Sequence, residues 1–155
     1  MNSKPISDKK EMLQIIDECD VCFVGMSDND SPYVLPFNFA IEGESLYLHS
    51  APEGRKISIL EKNNQVCVSF STGHKMYFQH EEVACSWGML FKSVIAWGSV
   101  EYLEEIKDKE HCLNLFMKKY AGKEMGHFSY SMPSLKNVKI LKIDITKMTG
   151  KKRGY

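Results

Sequence analysis

Apolar and polar positions alternate in several short runs of this chain, and runs with helical spacing lie between them. Met12, Ile15, Ile16 and Cys19 recur three and four residues apart, which predicts a helix over 8–18 with Ser7 or Asp8 as its cap. A short apolar run over 21–26 reads as a strand. Asp28, Asn29, Asp30 and Ser31 form a turn by composition, and a second strand covers 33–41. Glu42-Gly43-Glu44 connects it tightly to a third strand over 45–49, giving a meander. Ile57, Ile59 and Leu60 supply the buried face of a helix over 54–62, ended by Asn63-Asn64. In the strand over 65–71, Val66, Val68 and Phe70 lie on one face and Cys67 and Ser69 on the other. Residues 73–82 fit either a strand tail or a loop. The stretch 86–103 is one bent strand or two, with Gly88 and Gly98 as bends. A helix over 106–120 carries Cys112, Leu115, Phe116 and Met117 on its apolar stripe. Residues 121–136 read as irregular, 138–145 as a closing strand, and 151–155 as a basic tail. The pattern predicts a mainly β fold of about six antiparallel strands with three flanking helices, closer to a barrel than to a parallel sheet.

The connection from the third strand into the second helix holds the first chemical signal. The strand Leu46-Tyr47-Leu48-His49 runs through Ser50, Ala51, Pro52 and Glu53 to Gly54, and then Arg55 and Lys56 open the helix. Helix starts ordinarily favour acids, so two adjacent cations there need a reason. Free N–H groups and the positive end of the helix dipole suit a phosphate, and an arginine grips one bidentately. An ordinary connection with solvated cations fits the same residues, and the local pattern leaves both readings open.

Bulk properties narrow the class. At 155 residues the chain is expected to form one domain over 1–155. Lys plus Arg and Asp plus Glu number 20 each, so no global field draws nucleic acid or anionic lipid, and the low colloidal repulsion is compatible with self-association. No apolar run approaches the ~20 residues of a membrane span. The N-terminus leads into a charged helix rather than an apolar signal segment, and the five cysteines are scattered. A cytoplasmic protein with reduced thiols is expected.

Four motifs in order carry a resemblance. Pro32-Tyr33-Val34-Leu35-Pro36-Phe37-Asn38-Phe39, the 46–51 strand with the Gly54-Arg55-Lys56 turn, Phe91-Lys92-Ser93-Val94-Ile95-Ala96-Trp97-Gly98, and Met148-Thr149-Gly150-Lys151 resemble the flavin-binding split barrels related to pyridoxamine 5′-phosphate oxidase. Within that family the chain is most similar to the nitroimidazole-resistance (Nim-type) proteins, and the resemblance spans roughly 10–152. It implies a six-stranded antiparallel split barrel that forms a homodimer with FMN at the subunit interface. Gly54, Arg55 and Lys56 match the turn that holds the FMN phosphate, and Lys92 and Ser93 match a basic–polar pair that also reaches it. Pro36, Phe37 and Asn38 match the strand lining the flavin ring. His49, Ser50 and Ala51 match the strand end near the ribityl chain and ring, where His49 is a candidate for hydrogen bonding or proton supply. The implied activity is an oxidoreductase, nitroreductase-like, that takes electrons from NAD(P)H or another donor and passes them to a small organic acceptor. A flavin, deazaflavin or heme binder without turnover is the alternative from the same family. A true pyridoxamine phosphate oxidase would need further cations from a C-terminal Arg-rich segment, which residues 151–155 do not supply. Lys92 stands where the family usually has Arg, which replaces a fork with a point charge. Residues 73–90 fit the family poorly.

The remaining constellations read as structural. Cys19 and Cys22 form a C-x-x-C where a helix ends, the wrong end to stabilise a thiolate. No second ligand pair follows that could complete a zinc site. His74 and His80 read as surface histidines, Trp97 as core or interface packing, and the basic tail as a solvated end without nucleic-acid binding.

Overall fold

The computed structural model describes residues 2–122 and 128–155. Its framework is an antiparallel sheet with helices against it, of the split-barrel type. Among the described residues there are eight strands rather than six. In chain order they are β1 (Lys4–Ile6), α1 (Lys9–Glu18), β2 (Cys22–Asp28), β3 (Ser31–Phe37), β4 (Ala40–Glu42), β5 (Ser45–Ser50), α2 (Arg55–Lys62), β6 (Gln65–Tyr77), β7 (Gly88–Leu103), α3 (Ile106–Ala121), α4 (Met132–Asn137) and β8 (Lys139–Arg153).

The strands run β3-β2-β6-β7-β8-β5-β4 across the sheet, with β1 also on β8. The two edge strands, β3 and β4, are consecutive in sequence and joined only by Asn38 and Phe39. That joint curls the sheet into a barrel, and Phe39, fully buried, plugs it. Its ring meets Phe70 edge-on with centroids 5.1 Å apart. Tyr120 of α3 holds the backbone here: its hydroxyl accepts from the Phe39 N–H at 2.9 Å, and the Asp20 and Phe39 carbonyls lie 2.8 and 2.9 Å away as acceptors for its proton. Pro32 and Pro36 lie on edge strand β3, where a missing N–H donor is tolerated and discourages further pairing.

Alternation divides the sheet into two faces. Val24, Leu46, Leu48, Val68, Phe70, Val94, Leu141 and Ile143 turn inward with α1 and α2 side chains to form the main core. On the other face, α3 covers Ala40, Tyr47 and Ile140.

The differences from the sequence reading have local causes. The predicted strand over 33–41 breaks at the Asn38–Phe39 joint into β3 and β4. Strand β1 is three residues long and exists by pairing with β8, Ile6 opposite Gly150. The closing strand does not stop at 145. Alternation continues through polar residues, and Lys151, Lys152 and Arg153 pair with Ser93, Lys92 and Phe91. The basic segment is therefore strand rather than a solvated tail, and the Tyr155 hydroxyl donates to the Gly73 carbonyl at 2.7 Å. Of the stretch read as irregular, 132–137 is helix α4, capped by the Ser131 side chain with proline in its first turn. Residues 123–127 of that stretch lie outside the described residues. The 73–82 stretch is strand as far as Tyr77, and 88–103 is one strand with a bulge at Trp97/Gly98. No helix among the described residues is long and apolar enough to cross a membrane.

Candidate anion and cofactor site

The α2 start has the geometry its sequence suggests. Gly54 precedes the helix at φ 119°, ψ 174°, a conformation L side chains rarely adopt. No side chain caps the helix, and its first turn holds no acid. The Ile57 and Ser58 amides donate to the Gly54 carbonyl at 3.0 and 3.2 Å, so the preceding amides of Arg55 and Lys56 head the open end. Arg55 is exposed but engaged: Nη2 and Nε lie 3.1 and 3.4 Å from Asp28 Oδ2, and the guanidinium stacks over Tyr33 at 4.6 Å. Lys56 is half-buried and has no ion-pair partner among the described residues. An uncapped helix start with one uncommitted lysine and one arginine able to share its carboxylate fits a phosphate.

Before that turn, Ser50 is buried and donates to the Ala51 carbonyl at 2.7 Å, while Ala51 is exposed. His49 points to the α3 side of β5. Its ring meets Phe116 edge-on, with centroids 4.8 Å apart, and keeps one exposed edge. Burial lowers its pKa below the ordinary value of 6.5, so the imidazole is neutral at pH 7.

A pH dependence follows. Above the ordinary value both folded and unfolded chains carry neutral imidazole. As pH falls through it, the unfolded chain takes up the proton first, and stability is lost until the lower folded pKa is passed. Denaturation midpoints measured at about pH 8 and about pH 5 are expected to fall further for the wild type than for His49→Gln. Equal losses would show that the ring titrates as if unfolded.

Of the three residues at the end of β3, Pro36 is exposed opposite Phe23, and Phe37 packs on the core. Asn38 is exposed, with its amide 3.4 Å from the Asp20 carbonyl. Asn38 and His49 both lie beside α3, one next to Tyr120 and the other against Phe116, and those two rings stack at 6.2 Å.

Lys92 and Ser93 are neighbours on β7 and so face opposite sides. Lys92 turns to the α1 side, where it pairs with Glu18 and lies 5.3 Å from the Tyr155 ring centroid. Ser93 turns outward, its hydroxyl 3.3 Å from the Lys151 carbonyl.

One protomer does not bring Arg55–Lys56 and Lys92–Ser93 together. Arg55 meets Asp28 at one end of β2, and Phe23 lies five residues back along that strand, level with Ser69 and Ile95. Ser93 is two residues farther, opposite Ser71. Seven residues of strand separate the levels, roughly 23 Å at ~3.3 Å each.

The outward face of β2 and β6, with β7 up to Trp97 and β8 from Lys147 onward, carries no helix among the described residues and was not foreseen as a unit. It exposes Phe23 (51%), Ile95 (38%) and, on β3, Val34 (57%). A shallow groove of about 410 Å³ runs over it past Gly25, Cys67 and Trp97. Single exposed apolar residues mean little, and in the register Ser69 lies between Phe23 and Ile95 while Val34 lies opposite Gly25. A second groove, about 530 Å³, opens between α1, β4 and α3 beside Asp17, Glu42, Lys118 and Lys119, and none of the predicted site residues lines it.

Cys19 and Cys22 are buried, Cys19 donates to the Ile15 carbonyl at 3.2 Å, and burial pushes the Cys22 thiol up to about 12. His74 and His80 are both exposed, and His74 Nε2 lies 2.7 Å from the Ser71 hydroxyl.

Known proteins agree with this architecture. Residues 8–152 match the pyridoxamine 5′-phosphate oxidase family. A candidate 5-nitroimidazole antibiotic resistance protein from Bacteroides thetaiotaomicron is 44% identical, over 97% of this chain and 89% of its own, with a TM-score of 0.85. A FAD and heme binding protein from Mycobacterium smegmatis is 14% identical over 98% of this chain and 74% of its own, with a TM-score of 0.86. A FAD-binding protein from Mesorhizobium loti is 20% identical over 99% of this chain and 100% of its own, with a TM-score of 0.72. At those identities the last two establish a shared fold. No curated protein matches the chain. The match over 8–152 and the 44% identity to the Bacteroides protein together place this chain in the pyridoxamine 5′-phosphate oxidase family.

Proposed function

We propose that the protein is a homodimeric, FMN-dependent oxidoreductase of the Nim type that reduces a small organic acceptor. The observation that carries this reading is the α2 start, where no side chain caps the helix, no acid lies in the first turn, and Arg55 and Lys56 stand at its head. The 44% identity to the Bacteroides protein supports it. FMN supplies the electron transfer when bound, and the protein's part is placement. Arg55 and Lys56 grip the phosphate, with Arg55 sharing its contact to Asp28. Pro36 and the neighbouring Phe23 offer an apolar wall for the ring. The neutral His49 offers one hydrogen-bond donor and one acceptor to the ring or acceptor molecule rather than a charge. The uncovered face with Phe23, Val34 and Ile95 supplies the dimer contact, which excludes water from the site.

Turnover tests the reading. FMN-loaded protein mixed anaerobically with NADH or NADPH is expected to lose its visible flavin band, and a 5-nitroimidazole should restore it. Loaded protein that takes electrons from neither nucleotide, and that passes none to a nitroaromatic after reduction by dithionite, would be a flavin carrier instead.

A further inference from the structure

The ladder between β6 and β7 breaks at one place. The strands stay in register as far as Thr72 opposite Lys92 and resume at Lys75 opposite Leu90, so Gly73 and His74 oppose Phe91 alone. Gly73 lies at φ 67°, the left-handed conformation of a glycine bulge. The Tyr155 hydroxyl fixes the bulge by donating to the Gly73 carbonyl at 2.7 Å. A Cβ at position 73 would meet that hydroxyl oxygen at 3.0 Å.

The bulge changes where His74 points. Strict alternation would put it on the face opposite Ser71, three residues back. Its Nε2 instead lies 2.7 Å from Ser71 Oγ, so the extra residue has turned the ring to Ser71's side. Ser71 lies opposite the outward-facing Ser93, and both Ser71 and His74 are exposed. A hydroxyl bonded to an exposed imidazole makes a proton relay: the ring exchanges protons with water, and the hydroxyl passes them on.

The relay stands close to the apolar wall proposed for the flavin ring. Phe23 of that wall is level with Ser69 and Ile95, and Ser71 is two residues farther along β6. That spacing is about 7 Å. Reduction of an organic acceptor beside the ring consumes a proton. A nitro group that receives a hydride, and with it an electron pair, from the reduced cofactor takes up one proton, breaks one N–O bond and leaves as a nitroso group and water.

From this geometry we propose that Ser71 and His74 deliver that proton. Ser71 Oγ gives its proton to the departing oxygen while taking one from His74 Nε2, and the ring recovers its proton from water. The inference rests on the oxidoreductase reading above.

Rapid mixing tests it. FMN-loaded protein, reduced in advance with dithionite, is mixed anaerobically with a 5-nitroimidazole, and the return of the visible flavin band is followed. His74→Ala is expected to slow that return about 10-fold or more, and added imidazole should restore much of the rate. Ser71→Ala should slow it similarly without rescue by imidazole, and the double variant should be no slower than Ser71→Ala. FMN affinity should stay level in all three. By proton NMR of the oxidised, FMN-loaded wild type, the ring signals absent from His74→Ala should shift when the nitroimidazole is added. His74→Ala that reoxidises at the wild-type rate overturns the relay. Slow reoxidation that imidazole does not restore, with ring signals that do not shift, overturns it as well and leaves the bulge a structural feature. Wild-type protein that passes no electrons to the nitroimidazole overturns the oxidoreductase reading, and the relay with it.

Discussion

Replacing Arg55 and Lys56 together by alanine is expected to weaken FMN binding by about 2–4 kcal/mol, roughly 30- to 900-fold. Each charge-assisted set of hydrogen bonds contributes about 1.5–3 kcal/mol, and the remaining backbone amides compensate in part. The two residues should not contribute equally. Arg55 already donates to Asp28 and stacks on Tyr33, so its gain from a phosphate is offset by what it shares. Lys56 gives up no ion pair. Lys56→Ala alone should therefore cost more FMN affinity than Arg55→Ala alone, while riboflavin affinity stays level in all three variants. Fluorescence titration measures each value. Wild-type FMN affinity in the double variant would remove the phosphate from the α2 start.

Phe39→Ala is expected to destabilise the fold by about 3–5 kcal/mol, the usual range for a fully buried aromatic ring. For a chain of this size that lowers the thermal midpoint by roughly 6–20 °C. The ring fills the joint where the edge strands β3 and β4 meet, packs edge-on against Phe70, and lies 3.8 Å below Lys119 Nζ. Removing it leaves a cavity and strips the apolar cover from a half-buried lysine. Phe39→Leu keeps most of the volume and should cost less than about 1.5 kcal/mol. Calorimetry separates the two. A small loss for Phe39→Ala would show that the barrel joint is held by the Tyr120 hydrogen bonds and not by the ring.

Strands were legible where one face is buried and the other is not. Val66, Val68 and Phe70 against Cys67 and Ser69 is such a case. The extension of β8 through Lys147 and Lys151 was not legible, because its outward side chains are polar and Gly150 offers no side chain. Its inner face is closed by Ile6 and Met12, which are remote in sequence. The break at Asn38–Phe39 was hidden for a similar reason. The hydroxyl that satisfies Phe39's backbone belongs to Tyr120, 81 positions away. The α4 start could have been read from Ser131 and Pro133, a capping residue with proline in the first turn.

The same distinction holds for the site. Gly54, Arg55 and Lys56 are contiguous, and their meaning is local: a glycine conformation, a helix start and two charges. Ser93 and Lys151 are 58 positions apart and meet only through strand register. That Lys92 and Ser93 face opposite ways is implicit in strand alternation, but which way each faces depends on α1, whose Glu18 claims Lys92.

Titration of the wild-type protein with FMN, followed by its visible spectrum and by analytical ultracentrifugation on the same samples, tests the central claim most directly. Saturation at one FMN per chain on a dimer, with riboflavin bound more weakly, is the predicted result. Absence of saturable FMN binding would contradict the account, and the cations of the α2 start would then belong to a different anion.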